Sequence, residues 1–311
     1  MVVHAGVRIG WLDVPDEVRA AVEVVLGAPV VEATSQVGGF SPGTADRVRS
    51  ADGRRAFVKA VGLAQNPDSP GMHRREARIT AALPAHAPAP RLLGVHDDGD
   101  WVALVLEDVE GRHPVTPWRP DEVFRVLATL ERMAHTLTPT PVDDVPTAAG
   151  SLADDFEGWR NIASDPPSDL DAWATERLDE FVVWTDRGLS ALTGDTLVHL
   201  DVRADNLLMG TDGRVTVVDW PWACTGPAWL DRLLLLLNVR LYGGDTHDMI
   251  RRCAAETGAN PDDLVAVLIG LAGFFLDTAR RPPPPGIPTV RAFQRAQGDA
   301  VLAWVRAMWT S

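Results

Sequence analysis

The sequence predicts a two-lobed α+β protein, with a small antiparallel β-sheet lobe crossed by one helix and a larger, mainly helical lobe. Short β-type segments joined by glycine-containing turns dominate the chain up to Glu107. After Glu110-Gly111 the apolar residues recur with helical spacing, and only a brief β cluster near residues 196–218 interrupts them. We therefore predict an N-terminal lobe of residues 1–107 and a C-terminal lobe of residues 108–311, joined by a hinge near residues 107–111.

The first lobe combines two helices with a series of strands. Residues Pro15 to Leu26 have helical spacing, and Asp13 is placed to cap this helix. Asp52-Gly53, between two β-type runs, is a strong signal for a hairpin. A second helix is predicted at residues 73–83. The strands are predicted at residues 30–36, 46–50, 55–61, 91–96 and 101–107.

The second lobe is dominated by helical patterns. They lie at residues 121–137, 169–192, 229–241, 249–257, 262–279 and 290–309. The β cluster among them has short apolar runs at residues 196–199, 207–209 and 215–218. This order of elements completes the α+β prediction.

The composition is that of an ordinary soluble globular protein, with 46% hydrophobic and 23% charged residues. No apolar run approaches the roughly 20 residues that cross a bilayer, and the N-terminus turns charged too early for a secretory signal. The two cysteines, Cys224 and Cys253, cannot form a disulfide framework. We therefore expect a cytoplasmic protein without a membrane partner.

The net charge of −14 is unevenly distributed, with −2 in residues 1–107 and −12 in the remainder. This argues against a nucleic-acid partner, since phosphate backbones need a basic face. The acidic excess fits a cationic substrate bound by the second lobe. It fits equally well a solvated surface that keeps the protein soluble.

Lysine is almost absent from the chain. Lys59 stands alone beside 28 arginines, a pattern typical of a GC-rich coding bias that replaces lysine wherever arginine will serve. A lysine that remains is a candidate for a role that requires a compact ammonium group and that the planar guanidinium group of arginine cannot fill. The alternative is the chance survival of one surface lysine.

The strongest motif is the segment VHLDVRADNLL from Val198 to Leu208, followed by VVDW at residues 217–220. Its pattern is H-x-D-x-x-x-x-N, then a β-hairpin, then an apolar strand that ends in an aspartate. Transfer of a phosphoryl group needs a carboxylate to position the attacking hydroxyl and accept its proton, for which Asp201 is suited. It also needs oxygen ligands for Mg²⁺ on the triphosphate, for which Asn206 and Asp219 are suited. Singly, such carboxylates are more often loop caps or strand ends, but together, at this spacing and between apolar strands, we predict that they are functional.

The motif resembles the catalytic and metal-binding loops of the aminoglycoside phosphotransferase family, part of the protein-kinase-like superfamily. The resemblance implies a protein-kinase-like fold and ATP as the phosphoryl donor, with GTP left open. It makes Lys59 the lysine that binds the α- and β-phosphates and Glu76 its partner on the following helix. The alternative for Glu76 is a charge on the helix surface.

The resemblance implies further supporting residues. It places backbone groups at Glu107 and Val109 against adenine, and it gives His199 and Asp231 a supporting role at the catalytic loop. A short turn is expected to cover the phosphates, and its sequence departs from the G-x-G-x-x-G of protein kinases. This turn would consist of Gly38, Gly39, Phe40 and Ser41.

The substrate is predicted to be a small molecule, not a protein. Only about nine residues separate Asp219 from the next helix, whereas protein kinases use a much longer segment there to bind peptide. Residues 143–180 hold 11 acidic side chains, and in the family this insert helps to form the acceptor pocket. We expect Asp154, Asp155 and Glu157 to meet amines of the substrate, with a solvated helix face as the alternative.

Two tryptophans follow the metal aspartate. Trp220 and Trp222 are predicted to stack on a sugar or nucleoside face, with core packing as the alternative. The predicted function is ATP-dependent phosphorylation of a hydroxyl on an aminoglycoside-like or other sugar- or nucleoside-containing antibiotic. Two alternatives stay open, a metabolic kinase for an amino alcohol or sugar, and a pseudokinase that binds nucleotide without turnover. The intact motif favours an enzyme, although Trp220-Pro221 replaces the common glycine-containing turn.

Overall fold

The computed structural model describes residues 8–36 and 42–309 and divides the chain into two compact units. The first unit combines the chain up to His113 with two later segments, Asp205–Trp222 and Pro283–Val290. The second unit holds Pro114–Ala204, Ala223–Pro282 and the chain from Arg291 onward. Each unit therefore draws on segments that are far apart in sequence, unlike the contiguous division predicted at residue 107.

A five-stranded antiparallel sheet forms most of the first unit. Its strands are β1 (Val30–Ser35), β2 (Thr44–Ser50), β3 (Arg55–Gly62), β4 (Leu92–Asp97) and β5 (Trp101–Glu107), in the spatial order β1-β2-β3-β5-β4. The β2–β3 hairpin turns at Asp52-Gly53, where Gly53 has a φ of 88°, a left-handed conformation that glycine adopts at little cost. The hairpin predicted from this dipeptide is confirmed.

The two faces of the sheet pack against different helices. Helix α1 (Asp16–Leu26) covers the face that carries Val58, and helix α2 (Ser69–Ala82) covers the face that carries Phe57. Because side chains alternate along a strand, Lys59 shares the second face with Phe57 and extends toward α2. The packing of α2 thus decides what Lys59 can contact.

Both helices of the first unit begin differently from the prediction. Asp13 does not cap α1, because its carboxylate accepts a hydrogen bond from the Gly10 N–H (2.9 Å) in the preceding turn. Helix α2 begins earlier than predicted. Its start at Ser69 is stabilised by the Asn66 side chain, which accepts hydrogen bonds from the N–H groups of Asp68 and Ser69.

The second unit is built mainly from helices around one apolar core. Its helices are α3 (Pro120–Thr136), α4 (Ala148–Leu152), α5 (Gly158–Ser164), α6 (Ala172–Thr175), α7 (Leu178–Ala191), α8 (Leu230–Leu241), α9 (His247–Thr257), α10 (Pro261–Thr278) and α11 (Val290–Trp309). Two short strands, β6 (Thr196–Val198) and β9 (Cys224–Gly226), pair antiparallel in this unit. Helices α5 and α10 approach closely, since a Cβ at Gly158 would lie 2.3 Å from the Gly273 carbonyl carbon.

The prediction of one helix over residues 169–192 is wrong. The Asp171 carboxylate caps α6 by accepting hydrogen bonds from the N–H groups of Trp173 and Ala174. Arg177, with a φ of −122°, then interrupts the helical backbone before α7 begins. In the part of the chain that the structure describes, no helix is long and apolar enough to span a membrane.

A second hairpin brings a later segment into the first unit. Its strands are β7 (Leu207–Met209) and β8 (Val215–Val217). The main chains of Arg112 and Met209 exchange hydrogen bonds of 3.1 and 2.7 Å, and the Val217 N–H donates to the Pro88 carbonyl (2.6 Å). These long-range bonds are the reason that residues 205–222 group with the sheet.

Candidate active site

Lys59, Glu76 and Asp219 meet in the first unit. The Lys59 Nζ donates to both carboxylate oxygens of Glu76, at 2.8 and 2.9 Å, from β3 to α2. It also donates to Asp219 Oδ1 at 2.6 Å, and Asp219 stands two residues after β8. The expected Lys59–Glu76 ion pair is present, and a helix-surface position for Glu76 is excluded because its side chain is 3% exposed.

The electrostatics of this cluster favour a charged ammonium. Burial alone would lower the pKa of Lys59, but the carboxylates of Asp219 and Glu76 outweigh burial and raise it above its ordinary value. Burial, followed by the positive charge of Lys59, lowers the pKa of the neighbouring His73 to about 3. His73 is therefore neutral near pH 7 and adds no charge to the cluster.

Backbone strain accompanies the predicted motif. Leu200 has a φ of 67° and Asp219 a φ of 71°, both in the left-handed region that glycine favours. For other residues this region costs about 1 kcal/mol and persists only where surrounding contacts impose it. Such strain is concentrated at functional sites in proteins.

Asn206 lies beside the strand that leads to Asp219. Its carbonyl accepts a hydrogen bond from the Val218 N–H (2.9 Å), and the residue is buried. The amide and carboxylate oxygens of Asn206 and Asp219 are the kind that Mg²⁺ prefers, and Mg²⁺ commonly takes its remaining ligands from phosphates and water. Among the described residues no group of three His, Cys, Asp or Glu side chains is placed to hold a metal alone. By donor type, Asn206 and Asp219 fit a metal of this kind.

Asp201 lies in the second unit, in the loop after β6. Its N–H donates to His199 Nδ1 (3.2 Å), and its carboxylate accepts from Arg203 Nη1 at 2.9 Å. The Arg203 guanidinium also lies over the Phe293 ring, 5.7 Å from the centroid. The sequence analysis missed Arg203, although its position two residues after Asp201 places it within reach of the carboxylate.

Helix α8 braces this loop at both ends. The buried Asp231 carboxylate accepts hydrogen bonds from the N–H groups of His199 (2.8 Å) and Leu200 (3.0 Å). Burial raises the pKa of Asp231, and His199 and these two hydrogen bonds oppose the shift. The Asn238 side chain accepts from the Ala204 N–H at 3.2 Å.

Asn238 is a second residue that the sequence analysis missed. Its side-chain oxygen accepts hydrogen bonds from the Ala204 N–H and from the Trp118 indole N–H (3.1 Å). One amide therefore holds the segment that contains Trp118 and the segment that contains Ala204. A signal for it exists in the sequence, since Asn238 is a polar residue within the leucine-rich run of α8 and is 2% exposed. It is spaced two helical turns after Asp231, on the same face.

Replacing Asn238 with alanine should lower kcat about 10-fold and destabilise the protein by about 2 kcal/mol, because two buried donors lose their acceptor. Steady-state kinetics and urea unfolding measure the two effects. Asn161→Ala is the matched control, since Asn161 donates to Asp277 away from this loop (3.0 Å). It should cost stability and leave kcat unchanged. Equal kcat losses in both variants would contradict a positioning role for Asn238.

The structure also locates the residues implied for the nucleotide base. Glu107 ends β5, and its carboxylate accepts from Arg91 Nε (3.2 Å). The Val109 carbonyl accepts from Arg47 (2.8 Å). The predicted phosphate-covering turn, Gly38, Gly39, Phe40 and Ser41, lies outside the described residues.

The two predicted tryptophans have different surroundings. Trp220 is fully buried and its indole N–H donates to the Val217 carbonyl (2.9 Å), so it packs in the interior and cannot stack on a substrate. This corrects the expectation for Trp220 in favour of core packing. Trp222 is 45% exposed and keeps the stacking role as a prediction.

The predicted acidic substrate residues lie in the short turn that precedes α5. Asp154 is exposed, Glu157 pairs with Arg160 (2.9 Å), and Asp155 is half-buried. Burial and then the negative charge of Asp154 raise the pKa of Asp155 to about 6, against the opposing charge of Arg281. Asp155 is thus a carboxylate that a cationic group would stabilise.

Asp155→Asn should stabilise the free protein above pH 6. Because the pKa of Asp155 is higher in the folded state than its ordinary value of about 3.9, ionisation opposes folding as the pH rises from 4 to 6. Allowing for solvent screening, we expect a gain of about 1 kcal/mol at pH 7.5 and none at pH 4. Urea unfolding at both pH values measures it, and Asp154→Asn should give part of the same gain. A gain of equal size at pH 4 would refute this electrostatic cause.

Several solved structures with this fold are named as phosphotransferases or kinases that act on small molecules. One is an aminoglycoside phosphotransferase from Alicyclobacillus acidocaldarius, with TM-score 0.56 and 17% identity over 95% of this chain and 96% of that one. Another is a choline/ethanolamine kinase family protein from Mesorhizobium loti, with TM-score 0.60 and 18% identity over 95% and 94%. A third is the spectinomycin phosphotransferase APH(9)-Ia in complex with ADP and spectinomycin, with TM-score 0.56 and 12% identity over 93% and 92%. At these identities the similarity shows the fold alone, and the predicted protein-kinase-like α+β fold is confirmed.

The fold is kinase-like, and the sequence places the protein in a family. Residues 39–261 match the phosphotransferase enzyme family (APH), and this chain belongs to that family. It is therefore a phosphotransferase with an alcohol group as acceptor. No curated protein matches the sequence.

Proposed function

We propose that this phosphotransferase moves the γ-phosphoryl group of ATP to a hydroxyl of a small molecule in a magnesium-dependent reaction. The observation that carries the proposal is the contact of Lys59 with both Glu76 and Asp219. A buried ammonium beside a carboxylate suits the joint binding of a triphosphate and a metal, because each group has a partner of opposite charge. The ADP complex of the spectinomycin phosphotransferase supports an adenine nucleotide as donor.

Each site residue has a separate task in this proposal. Lys59 binds the α- and β-phosphates, and Glu76 keeps its ammonium in place. Asn206 and Asp219 hold Mg²⁺, which neutralises charge on the phosphates when it is bound. Asp201 positions the acceptor hydroxyl and takes its proton, in a loop braced by α8.

The proposed acceptor is an aminoglycoside-like or other sugar- or nucleoside-containing antibiotic with positive charge. The balance of −12 in residues 108–311 supports a cationic compound. The half-buried Asp155 and the exposed Trp222 supply, in addition, a carboxylate for an amine and an aromatic face for a ring. Two of the structural relatives are named for aminoglycosides and spectinomycin.

A screen of acceptors tests the proposal. The protein is incubated with Mg²⁺-ATP or Mg²⁺-GTP and a panel of aminoglycosides, nucleoside antibiotics, choline, ethanolamine and free hexoses. Mass spectrometry then detects products that have gained one phosphoryl group. We expect phosphorylation of an antibiotic and loss of all turnover in EDTA. Nucleotide binding without any phosphorylated product across the panel would favour the pseudokinase and overturn the proposal.

A metabolic kinase is the second candidate. The fold shared with a choline/ethanolamine kinase family protein favours it, since choline also combines a positive charge with a hydroxyl. The same screen separates the candidates, because a metabolic kinase should turn over choline, ethanolamine or a hexose with a higher kcat/KM than any antibiotic.

A further inference from the structure

Two arginines hold the chain segment that follows β5. Arg47 Nε on β2 lies 3.1 Å from Asp108 Oδ1, and Arg55 Nη2 at the start of β3 lies 2.7 Å from Asp108 Oδ2. Arg47 Nη2 also donates to the Val109 carbonyl (2.8 Å), and Arg55 Nη1 lies 2.5 Å from Glu110 Oε1. Three consecutive residues are thereby held against β2 and β3. We refer to Arg47, Arg55 and Asp108 as the clamp.

The carboxylate at the centre of the clamp is buried. The Asp108 side chain is 3% exposed, whereas Arg47 and Arg55 are 30% and 45% exposed. A buried carboxylate is costly unless cations pair with it, and here two do. The two arginine contacts with Asp108 do not have the geometry of hydrogen bonds. Electrostatic attraction therefore contributes more than hydrogen bonding to the position of Asp108. By contrast, Arg49 on the same strand forms an exposed pair with Glu32, the kind of pair that contributes little.

The same segment is bonded on its other side to the second hairpin of the first unit. Arg112 and Met209 exchange main-chain hydrogen bonds, and His113 Nδ1 donates to the Leu207 carbonyl (3.0 Å). The chain from Asp108 to His113 therefore connects the strand that carries Lys59 with the hairpin that leads to Asp219. Its position is fixed by contacts from two directions.

We propose that the clamp is a positioning device for the nucleotide base. It fixes the main chain of Asp108 and Val109, next to Glu107, before the nucleotide arrives. The family resemblance implies that backbone groups of Glu107 and Val109 face adenine, so the inference rests on the proposed function, in which ATP is the donor. Backbone that is ordered before binding loses less conformational entropy when the nucleotide binds. The smaller entropy loss increases the affinity. Because the contacts of Arg47 and Arg55 converge on the segment that follows β5, we expect their effect to be confined to the base.

Binding measurements with three probes separate the contribution of the base to nucleotide affinity from the contribution of the phosphates. Isothermal titration of Mg²⁺-ADP, adenosine and Mg²⁺-tripolyphosphate compares the wild type with the double variant Arg47→Ala/Arg55→Ala. We expect the double variant to bind ADP and adenosine about 10-fold more weakly and tripolyphosphate within about 2-fold of wild type. In steady-state assays the KM for ATP should rise by the same factor, with kcat nearly unchanged.

Three further variants control for loss of structure. Arg49→Ala removes an exposed arginine from the same strand, and it should bind all three probes as the wild type does. Arg47→Lys and Arg55→Lys keep the charge beside Asp108, so they should recover most of the adenosine affinity. If the double variant fails to fold, these lysine variants and Asp108→Asn decide the question, with Asp108→Asn expected to weaken adenosine selectively.

The outcomes distinguish the inference from the function on which it rests. A folded double variant with unchanged adenosine affinity overturns the inference alone, as does an equal loss for adenosine and tripolyphosphate. Wild-type protein that binds none of the three probes overturns the proposed function, and the inference falls with it.

Discussion

Replacement of Asp201 with asparagine is expected to lower kcat by about 10³-fold while the affinity for Mg²⁺-ADP stays within about 2-fold of wild type. Asparagine has nearly the shape of aspartate but cannot take a proton from the acceptor hydroxyl. Nucleotide affinity should persist because the proposed phosphate and metal ligands are untouched. Single-turnover phosphorylation of the acceptor found in the screen, with calorimetry of Mg²⁺-ADP, measures both quantities.

The control for this prediction is Asp212→Asn, the same chemical change in the exposed β7–β8 turn. Asp212 accepts a hydrogen bond from the Arg214 N–H (3.0 Å) within that turn. This variant should retain wild-type turnover and binding. If Asp201→Asn kept a tenth or more of the wild-type kcat, Asp201 would not be the base.

Replacement of Lys59 with methionine is expected to impair both activity and stability. Without the ammonium, the phosphates lose their fixed cation, and kcat/KM should fall on the order of 10²-fold or more. Glu76, whose side chain is 3% exposed, is left as a buried charge without its partner, at a cost of about 3 kcal/mol in the free energy of unfolding. Urea unfolding and steady-state kinetics measure the two losses.

A double variant separates the two losses at Lys59. Lys59→Met/Glu76→Leu removes both buried charges, so it should recover much of the lost stability and none of the lost activity. Arginine is not expected to rescue turnover, since its planar fork differs from a compact ammonium. Recovery of activity in the double variant would show that Lys59 serves the fold and not the nucleotide.

Where a local rule decides the structure, the sequence predicts it well. The Asp52-Gly53 dipeptide predicts the β2–β3 hairpin because few residues other than glycine adopt the positive φ of Gly53. The two short apolar runs predicted between Asn206 and Asp219 form the strands of a hairpin, β7 and β8. The pairing of Lys59 with Glu76 is implied by the family resemblance, and the structure contains it.

The features that sequence reasoning missed depend on contacts between distant residues. Main-chain bonds between Arg112 and Met209 leave no periodic pattern in the sequence, so the grouping of residues 205–222 with the first unit is not predictable from it. Strand β9 spans only Cys224–Gly226, too short for alternation to be detected. Trp220 shows a further limit of sequence-based prediction. The sequence does not indicate whether an aromatic residue beside a functional motif is buried, as Trp220 is, or exposed.

The sharing of one ammonium by Glu76 and Asp219 has a thermodynamic consequence. In the proposed function, a divalent ion bound by Asp219 would release Lys59 for the nucleotide, and a nucleotide bound by Lys59 would release Asp219 for the ion. Each ligand would then remove a competitor of the other, so we expect their binding to be positively cooperative and the cooperativity to be reciprocal. The apparent Kd for ADP should fall as the Mg²⁺ concentration is raised. The apparent Kd for Mg²⁺ should fall by the same factor as the ADP concentration is raised.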